Sequence, residues 1–268
     1  MRSEATTARS GRRGAVGKAL AGKALAAAVC LCAASAGCKG SVPIVTWHAV
    51  VLPQSSYDVA PKVFAAQLDE LRARGFHTVS LHEVLAHEDR GATLPDHPVV
   101  LTFDDGTQDH FTTVLPLLRG RGMKATFFVV PAWIGPDEAH RHVEVDEGVA
   151  RPCLIAPEVR ALVAAGMEVG AHGFTHARLP SLSEQAARAE ITSARTALQG
   201  LLDAPVDLFA YPFNSLRRPH RALVREAGYA AAVAGVDHGN ANRFSLYRAP
   251  VQRDTTPQQL VARLASWR

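Results

Sequence analysis

The sequence predicts an α/β fold built on a largely parallel sheet, open or closed into a barrel. Two observations carry this. From residue 42 onward, short apolar runs alternate with segments of helical periodicity, the pattern of repeated strand–helix–strand units. No internal repeat and no linker divides that region, so the units form one body. With 268 residues, 47% hydrophobic and 20% charged, the chain can bury a core and is too apolar to be mainly disordered.

The elements follow in order. Residues 42–46 read as a buried strand. Over 61–74, Val63, Phe64, Gln67, Leu68 and Leu71 fall at helical spacing, and Gly75 stops the helix. A strand over 76–79 and a short helix from Ser80 lead to a strand over 99–103. A helix over 111–121, a strand over 125–130, a helix over 157–165 and a strand over 167–171 come next. The long helix over 183–202 is expected to start from a Ser-x-x-Glu capping box, Ser181 to Glu184. A strand over 206–211, a helix over 219–227, a strand over 229–234 and a last helix from Pro257, capped by Thr256, complete the series.

The net charge of +4 does not indicate a nucleic-acid partner, because it sits in the leader. Residues 1–37 hold six basic groups and one acidic group; the remainder holds 23 basic and 24 acidic groups. The basic start runs into small and apolar residues 24–37, the pattern of a secretory signal and too short for an ordinary membrane-spanning helix. Ser35-Ala36-Gly37-Cys38 resembles a bacterial lipobox, with Ser35 where Leu is usual. Residues 1–38 therefore read as a signal peptide, with a lipid-anchored envelope protein the expectation ahead of plain secretion or an uncleaved anchor. Cys30 and Cys32 would leave with the leader and Cys38 would carry lipid, so Cys153 is expected as a partly buried, inert thiol. A Cys38–Cys153 bridge is the alternative if Cys38 is not lipidated.

In parallel α/β folds the chemistry sits at the carboxyl ends of strands. Three such ends carry conspicuous residues. Thr102-Phe103-Asp104-Asp105-Gly106 puts two adjacent carboxylates where like charges oppose each other's ionisation, a conflict that a metal ion resolves. His172-Gly173-Phe174-Thr175-His176 puts two imidazoles four residues apart, able to meet one ion. Two imidazoles and one carboxylate with open positions make a catalytic type of site. Ala210-Tyr211-Pro212-Phe213-Asn214 forms a rigid turn able to present N–H groups to an oxyanion. Asp-Asp-Gly alone is more often a turn, and His-x-x-x-His alone is weak; together, at two strand ends, they are informative.

This set resembles the polysaccharide deacetylase family, whose domain is shared with the chitooligosaccharide deacetylases of nodulation. The likeness runs from about Pro43 to Trp267 and includes Pro43-Ile44-Val45-Thr46-Trp47-His48 and Ala125-Thr126-Phe127-Phe128-Val129. It implies that residues 42–268 form one catalytic domain, a distorted (β/α)7 barrel. It also implies metal-dependent removal of N-acetyl, occasionally O-acetyl, groups from a glycan, here expected to be a cell-envelope or extracellular polysaccharide of N-acetylglucosamine type. By that resemblance Asp105, His172 and His176 are the ligands of a divalent metal, most simply Zn2+, Asp104 is the general base, and the Phe213 N–H holds the oxyanion. Many family members carry the general acid in a late Leu-x-His motif. This chain has no His after His238 and ends Val261-Ala262-Arg263-Leu264. It is more similar to the branch that includes the biofilm poly-N-acetylglucosamine deacetylases, where the acid follows the first strand, here His48.

Two positions depart from the family pattern. Ala210 stands where an Arg commonly orients the base, and Asn214 replaces the usual Gly of the turn. Arg248 either approaches Asp104 from another strand or lies on the surface. Tyr211, Pro212, Asn214, Arg248 and Trp47 are the expected substrate-binding residues, with Trp47 and Trp133 either stacking on sugar rings or packing beside the site. The polar insertion over 135–152, with His140, His142, Asp137, Glu138, Glu144, Asp146 and Glu147, is read as a solvated loop, ahead of a groove wall or a second ion site. The expected partner is an acetylated polysaccharide, with no nucleic acid, and membrane contact only through the leader or a lipid. A non-catalytic glycan-binding relative and a hydrolase of another amide or ester are the alternatives.

Overall fold

Seven parallel strand positions form a nearly closed ring, in a computed structural model that describes residues 41–146, 148–235 and 242–267. The leader, Cys38, Glu147 and His238 lie outside the described residues, and with them the lipobox and the Cys38–Cys153 bridge. The elements run β1 (Ile44–Trp47), α1 (Pro61–Ala73), β2 (His77–Thr78), α2 (Leu81–Arg90), β3 (Pro98–Phe103), α3 (Leu115–Arg119) and β4 (Thr126–Val129). An antiparallel pair follows, β5 (Val143–Asp146) and β6 (Val149–Pro152), then α4 (Ala156–Ala164), β7 (Glu168–Ala171) and α5 (Glu184–Leu202). The chain ends with β8 (Leu208–Ala210), α6 (Arg218–Glu226), β9 (Ala231–Ala234), β10 (Leu246–Tyr247), β11 (Ala249–Pro250) and α7 (Pro257–Ala265).

Strands pair in the order β10-β9-β8-β7-β4-β3-β1-β11, and β2 pairs with the start of β3. β10 and β11 flank a single residue, Arg248. One extended segment thus pairs with β9 on one side and with β1 on the other, which closes the ring. Every pairing within the ring is parallel, so all its strands point their carboxyl ends the same way. The strands are buried on both faces, as parallel strands under helices must be. In β1, Trp47 packs outward on Phe64 of α1 and stacks on Phe103, with ring centroids 5.6 and 5.5 Å away.

Helix starts follow side-chain capping. Ser80 with Glu83 and Thr256 with Gln259 form capping boxes. The box expected at Ser181 does not form: Ser183 caps α5 by accepting from the Ala186 N–H, while the Ser181 hydroxyl donates to the Arg178 carbonyl. The helix expected over 111–121 begins as a wide turn, His110–Val114, before α3. The polar insertion is not a bare loop but the β5–β6 hairpin. Its root is tied to the end of β3, since the Leu154 N–H donates to the Gly106 carbonyl at 2.8 Å.

Candidate active site

The carboxyl ends of five strand positions converge. His48 follows β1, Asp104 and Asp105 follow β3, His172 follows β7, Phe213 sits in the turn after β8, and Arg248 interrupts the closing segment. Asp104 and Arg248 are both buried. Arg248 Nη1 donates to Asp104 Oδ1 at 2.6 Å, and Nη2 donates to Oδ2, a two-pronged pair. Nη1 also reaches the hydroxyls of Thr46 and Thr102, at 3.1 and 3.4 Å. Burial raises the Asp104 carboxyl, but Arg248, with lesser help from His172 and His48, outweighs it and holds the group well below the usual range. Asp104 is therefore ionised at neutral pH.

Asp105, His172 and His176 place one ligand atom each within 4.8 Å of one another. The Nε2 atoms of His172 and His176 both lie 3.5 Å from Asp105 Oδ1. Among the described residues that oxygen is buried without a hydrogen-bond partner, the observation that fits a cation among the three. The hydrogen bond behind His172 agrees. His172 Nδ1 lies 2.9 Å from the Ala210 carbonyl, a contact that only an Nδ1–H can make, so Nε2 keeps its lone pair. Burial pushes the His172 imidazole down to about 4, leaving it neutral and able to ligate.

The loop between the two histidines is braced from α5 by Glu190. One carboxylate oxygen accepts from the Phe174 and Thr175 N–H groups, both at 2.9 Å, and the other accepts from the Thr175 hydroxyl at 2.7 Å. Sequence reading missed Glu190, whose only signal is an acid on a helix 14 residues past His176. Gly173 has φ +73°, and a Cβ there would come within 3.1 Å of Pro212. Backbone strain gathers at the same place: Asp105, His176, Phe213 and Asn214 all have positive φ.

Beside this cluster opens a cleft of about 120 Å³ whose lining includes His48, Asp105, His176, Tyr57, Trp133 and Phe213. His48 Nε2 lies 4.0 Å from Asp104 Oδ2, and its carbonyl accepts from His110 Nε2 at 3.0 Å. Trp133 and Phe213 both pack on the His176 ring, with centroids 5.0 and 4.5 Å away. The β5–β6 hairpin adds Glu144 and Arg151 to the lining, and His142 at its base stacks on Trp133 from outside the lining. The insertion is thus a wall of the cleft.

Several expected substrate-binding residues take other places. Trp47 is fully buried and donates through Nε1 to Gln67 Oε1 at 2.9 Å, so it belongs to the helix layer and presents no face to a sugar. Tyr211 is buried as well, its hydroxyl donating to the Phe244 carbonyl, and Pro212 is buried beneath the turn. Arg248 meets Asp104 instead of solvent. Asn214 is half-buried, and its Oδ1 accepts from Arg248 Nη2 at 3.3 Å. Tyr211, Pro212, Arg248 and Asn214, unlike Trp47, shape the base and the turn from behind. Among the described residues Cys153 has no disulfide partner; it is fully rather than partly buried, and burial pushes its thiol up to about 12.

A nearly closed parallel barrel with ionisable groups gathered at its carboxyl mouth is the framework of many hydrolases. The sequence model of the polysaccharide deacetylase family matches residues 91–232, and the chain belongs to that family of hydrolases. The matched span holds Asp104, Asp105, His172, His176 and Phe213; His48 and Arg248 lie outside it. YxkH of Bacillus subtilis (strain 168), a polysaccharide deacetylase by name, is 23% identical over 214 residues, 78% of this chain and 71% of that protein. The poly-beta-1,6-N-acetyl-D-glucosamine N-deacetylase of Escherichia coli (strain K12) is 32% identical over 93 residues, 34% of this chain and only 14% of that much longer protein. Among solved structures, IcaB from Ammonifex degensii superposes with a TM-score of 0.68 at 24% identity, covering 85% of this chain and 98% of that one. The Streptococcus pyogenes deacetylase PplD in complex with acetate superposes with a TM-score of 0.69 at 21% identity, covering 82% and 96%. At these identities the structures establish the shared barrel.

Proposed function

We propose that this chain is a metal-dependent N-deacetylase acting on an N-acetylglucosamine-type polysaccharide of the cell envelope or extracellular matrix. The observation that carries this reading is the buried, unpartnered Asp105 Oδ1 between His172 and His176, beside an ionised Asp104 and at the edge of a cleft that Asp105 lines. Asp105, His172 and His176 would hold a divalent ion, which when bound would supply Lewis acidity to the amide carbonyl and lower the pKa of a nearby water. Asp104, fixed by Arg248, accepts the proton of the attacking water as its oxygen bonds to the acyl carbon. The Phe213 N–H donates to the oxyanion that forms. His48 gives a proton to the amine nitrogen as the C–N bond breaks, so acetate and a free amino sugar leave.

The E. coli relative named as a poly-beta-1,6-N-acetyl-D-glucosamine N-deacetylase supports the choice of glycan class. The basic leader ending at Cys38 supports an envelope location, with the lipid on Cys38; incorporation of labelled fatty acid that Cys38→Ala abolishes tests that part. The test of activity is acetate release from a panel of N-acetylglucosamine polymers, with Zn2+ or chelator, and Asp104→Asn alongside. Chelator-sensitive release that Asp104→Asn loses is the expected result. No release from any glycan, in protein shown to hold its metal, would overturn the reading in favour of a glycan-binding role or another acyl substrate.

A further inference from the structure

We propose that Tyr57 is the wall against which the reacting sugar ring stacks, and that Arg151 is the residue that positions it. The inference rests on the function proposed above and adds the groups that hold the sugar.

The argument starts from the directions the chemistry requires. The acetyl group must point at Asp105 and His176, and the amide nitrogen must face His48. The pyranose carbon bonded to that nitrogen then lies on the His48 side of the cleft. The aromatic ring on that side is Tyr57, whose centroid is 4.9 Å from that of His48. Tyr57 is 40% exposed and lines the cleft, so part of its ring is free to meet a ligand there. A flat ring with one polar edge suits a pyranose, which shows an apolar C–H face and a rim of hydroxyls. Trp133 and Phe213 pack on His176, whereas the ring contact of His48 is with Tyr57.

Tyr57 sits on a loop that is fixed with unusual care. Its neighbour Asp58 is buried and accepts from the Gln54 and Ser55 N–H groups, at 2.8 and 2.7 Å. From the β5–β6 hairpin, Arg151 Nη2 donates to Asp58 Oδ1 at 2.6 Å and to the Ser55 hydroxyl at 3.2 Å. The hairpin is itself rooted in the strand end that carries Asp104 and Asp105, through the Leu154–Gly106 bond. Arg151 therefore couples the position of Tyr57 to the frame of the reacting groups. A buried carboxylate that loses its cationic partner keeps its desolvation cost, so removing Arg151 loosens the loop at Asp58.

The test measures both binding of an N-acetylglucosamine tetramer and acetate release from it, using the full chain with Zn2+. Tyr57→Ala is expected to weaken binding and raise KM by roughly tenfold, as truncation of a central aromatic anchor does, with kcat changed by less than about threefold. Tyr57→Phe keeps both values, because the ring face and not the hydroxyl makes the contact. Arg151→Ala shifts KM in the same direction, and Arg151→Lys recovers part of it. The double variant is no worse than Tyr57→Ala alone, since Arg151 acts through Tyr57. Unchanged binding in a folded Tyr57→Ala, or a fall in kcat with KM unmoved, overturns the stacking role; additive losses in the double variant overturn the positioning role. Wild-type protein that binds the tetramer without releasing acetate overturns the proposed function but leaves the stacking role standing. Failure to bind at all overturns the stacking role.

Discussion

Arg248 grips both carboxylate oxygens of Asp104 from 144 residues away in sequence. The grip comes from the segment that closes the barrel, because Arg248 stands between the two residue pairs that bond to β9 and to β1. Ring closure and orientation of the base are thus one structural event. It also accounts for Ala210: with the guanidinium arriving from the closing segment, no arginine is needed at the end of β8.

Removing that guanidinium leaves a buried carboxylate uncompensated. Arg248→Ala should lower folding stability by about 3–5 kcal/mol. Arg248→Lys should lose less stability but most of the activity, since a point charge cannot hold two oxygens at once. Adding Asp104→Asn to Arg248→Ala should restore part of the stability by removing the stranded charge, with no recovery of activity. Urea denaturation beside acetate release checks all three; a double variant no more stable than Arg248→Ala would contradict the argument.

A cation among Asp105, His172 and His176 would satisfy an oxygen that has no hydrogen-bond partner among the described residues. Zn2+ should therefore raise the melting temperature of the wild type, by linkage of binding to folding. The same addition should do little for His176→Ala or Asp105→Ala. Differential scanning calorimetry with and without chelator measures this without reference to any substrate. An equal Zn2+ shift in His176→Ala would place the ion elsewhere.

The parts of the site that were legible in the sequence are the contiguous ones. Asp104-Asp105-Gly106 and His172 to His176 are short runs at the ends of apolar strands, and a run needs no knowledge of what it packs against. Arg248 was legible only as two alternatives, because its segment offers two residues to each neighbour and no apolar stretch marks it as a strand. Trp47 misled for a physical reason. A strand buried on both faces gives no alternation, so nothing in 42–48 says which side chains face the barrel interior and which face the helices. The hairpin did leave a signal: Val143-Glu144-Val145-Asp146 alternates with period two before Gly148, a strand and turn obscured by the density of charge.

Glu190 is expected to matter to metal affinity although it touches no ligand atom. It fixes the loop between His172 and His176 by accepting from two backbone N–H groups and one hydroxyl. Glu190→Ala should weaken Zn2+ binding by about tenfold, the lower end of what outer supports of a metal site contribute. Glu190→Gln, which keeps the size and one acceptor oxygen, should fall between. Competition with a chromophoric chelator gives the affinities, and equal affinity in Glu190→Ala would mean the loop holds itself.

The opposite end of the barrel carries an ion cluster whose pH dependence has a definite sign. His82, at the start of α2, bonds to Asp207 at 2.8 Å and to Glu168 at 2.6 Å. The Asp207 and Glu168 bonds raise the imidazole from 6.5 to about 10, against the opposing effect of burial. A folded-state pKa above the unfolded one gives stability that is fully present below about 6.5 and is lost as pH rises through about 10. Glu168 has the reverse sign. Burial raises its carboxyl, but the bonds from His82 and Thr126 prevail and hold it below its ordinary value, so its contribution is lost only on acidification through that lowered value. His82→Gln should therefore destabilise the protein most in mildly acidic to neutral solution, by no more than about 1 kcal/mol because the ring is half-exposed and screened. The deficit should shrink as pH approaches about 10, where the wild-type imidazole loses its proton. Paired urea titrations across that range decide it, and a deficit that grows toward alkaline pH would mean that the neutral ring, not the charged pair, holds α2 to the barrel floor.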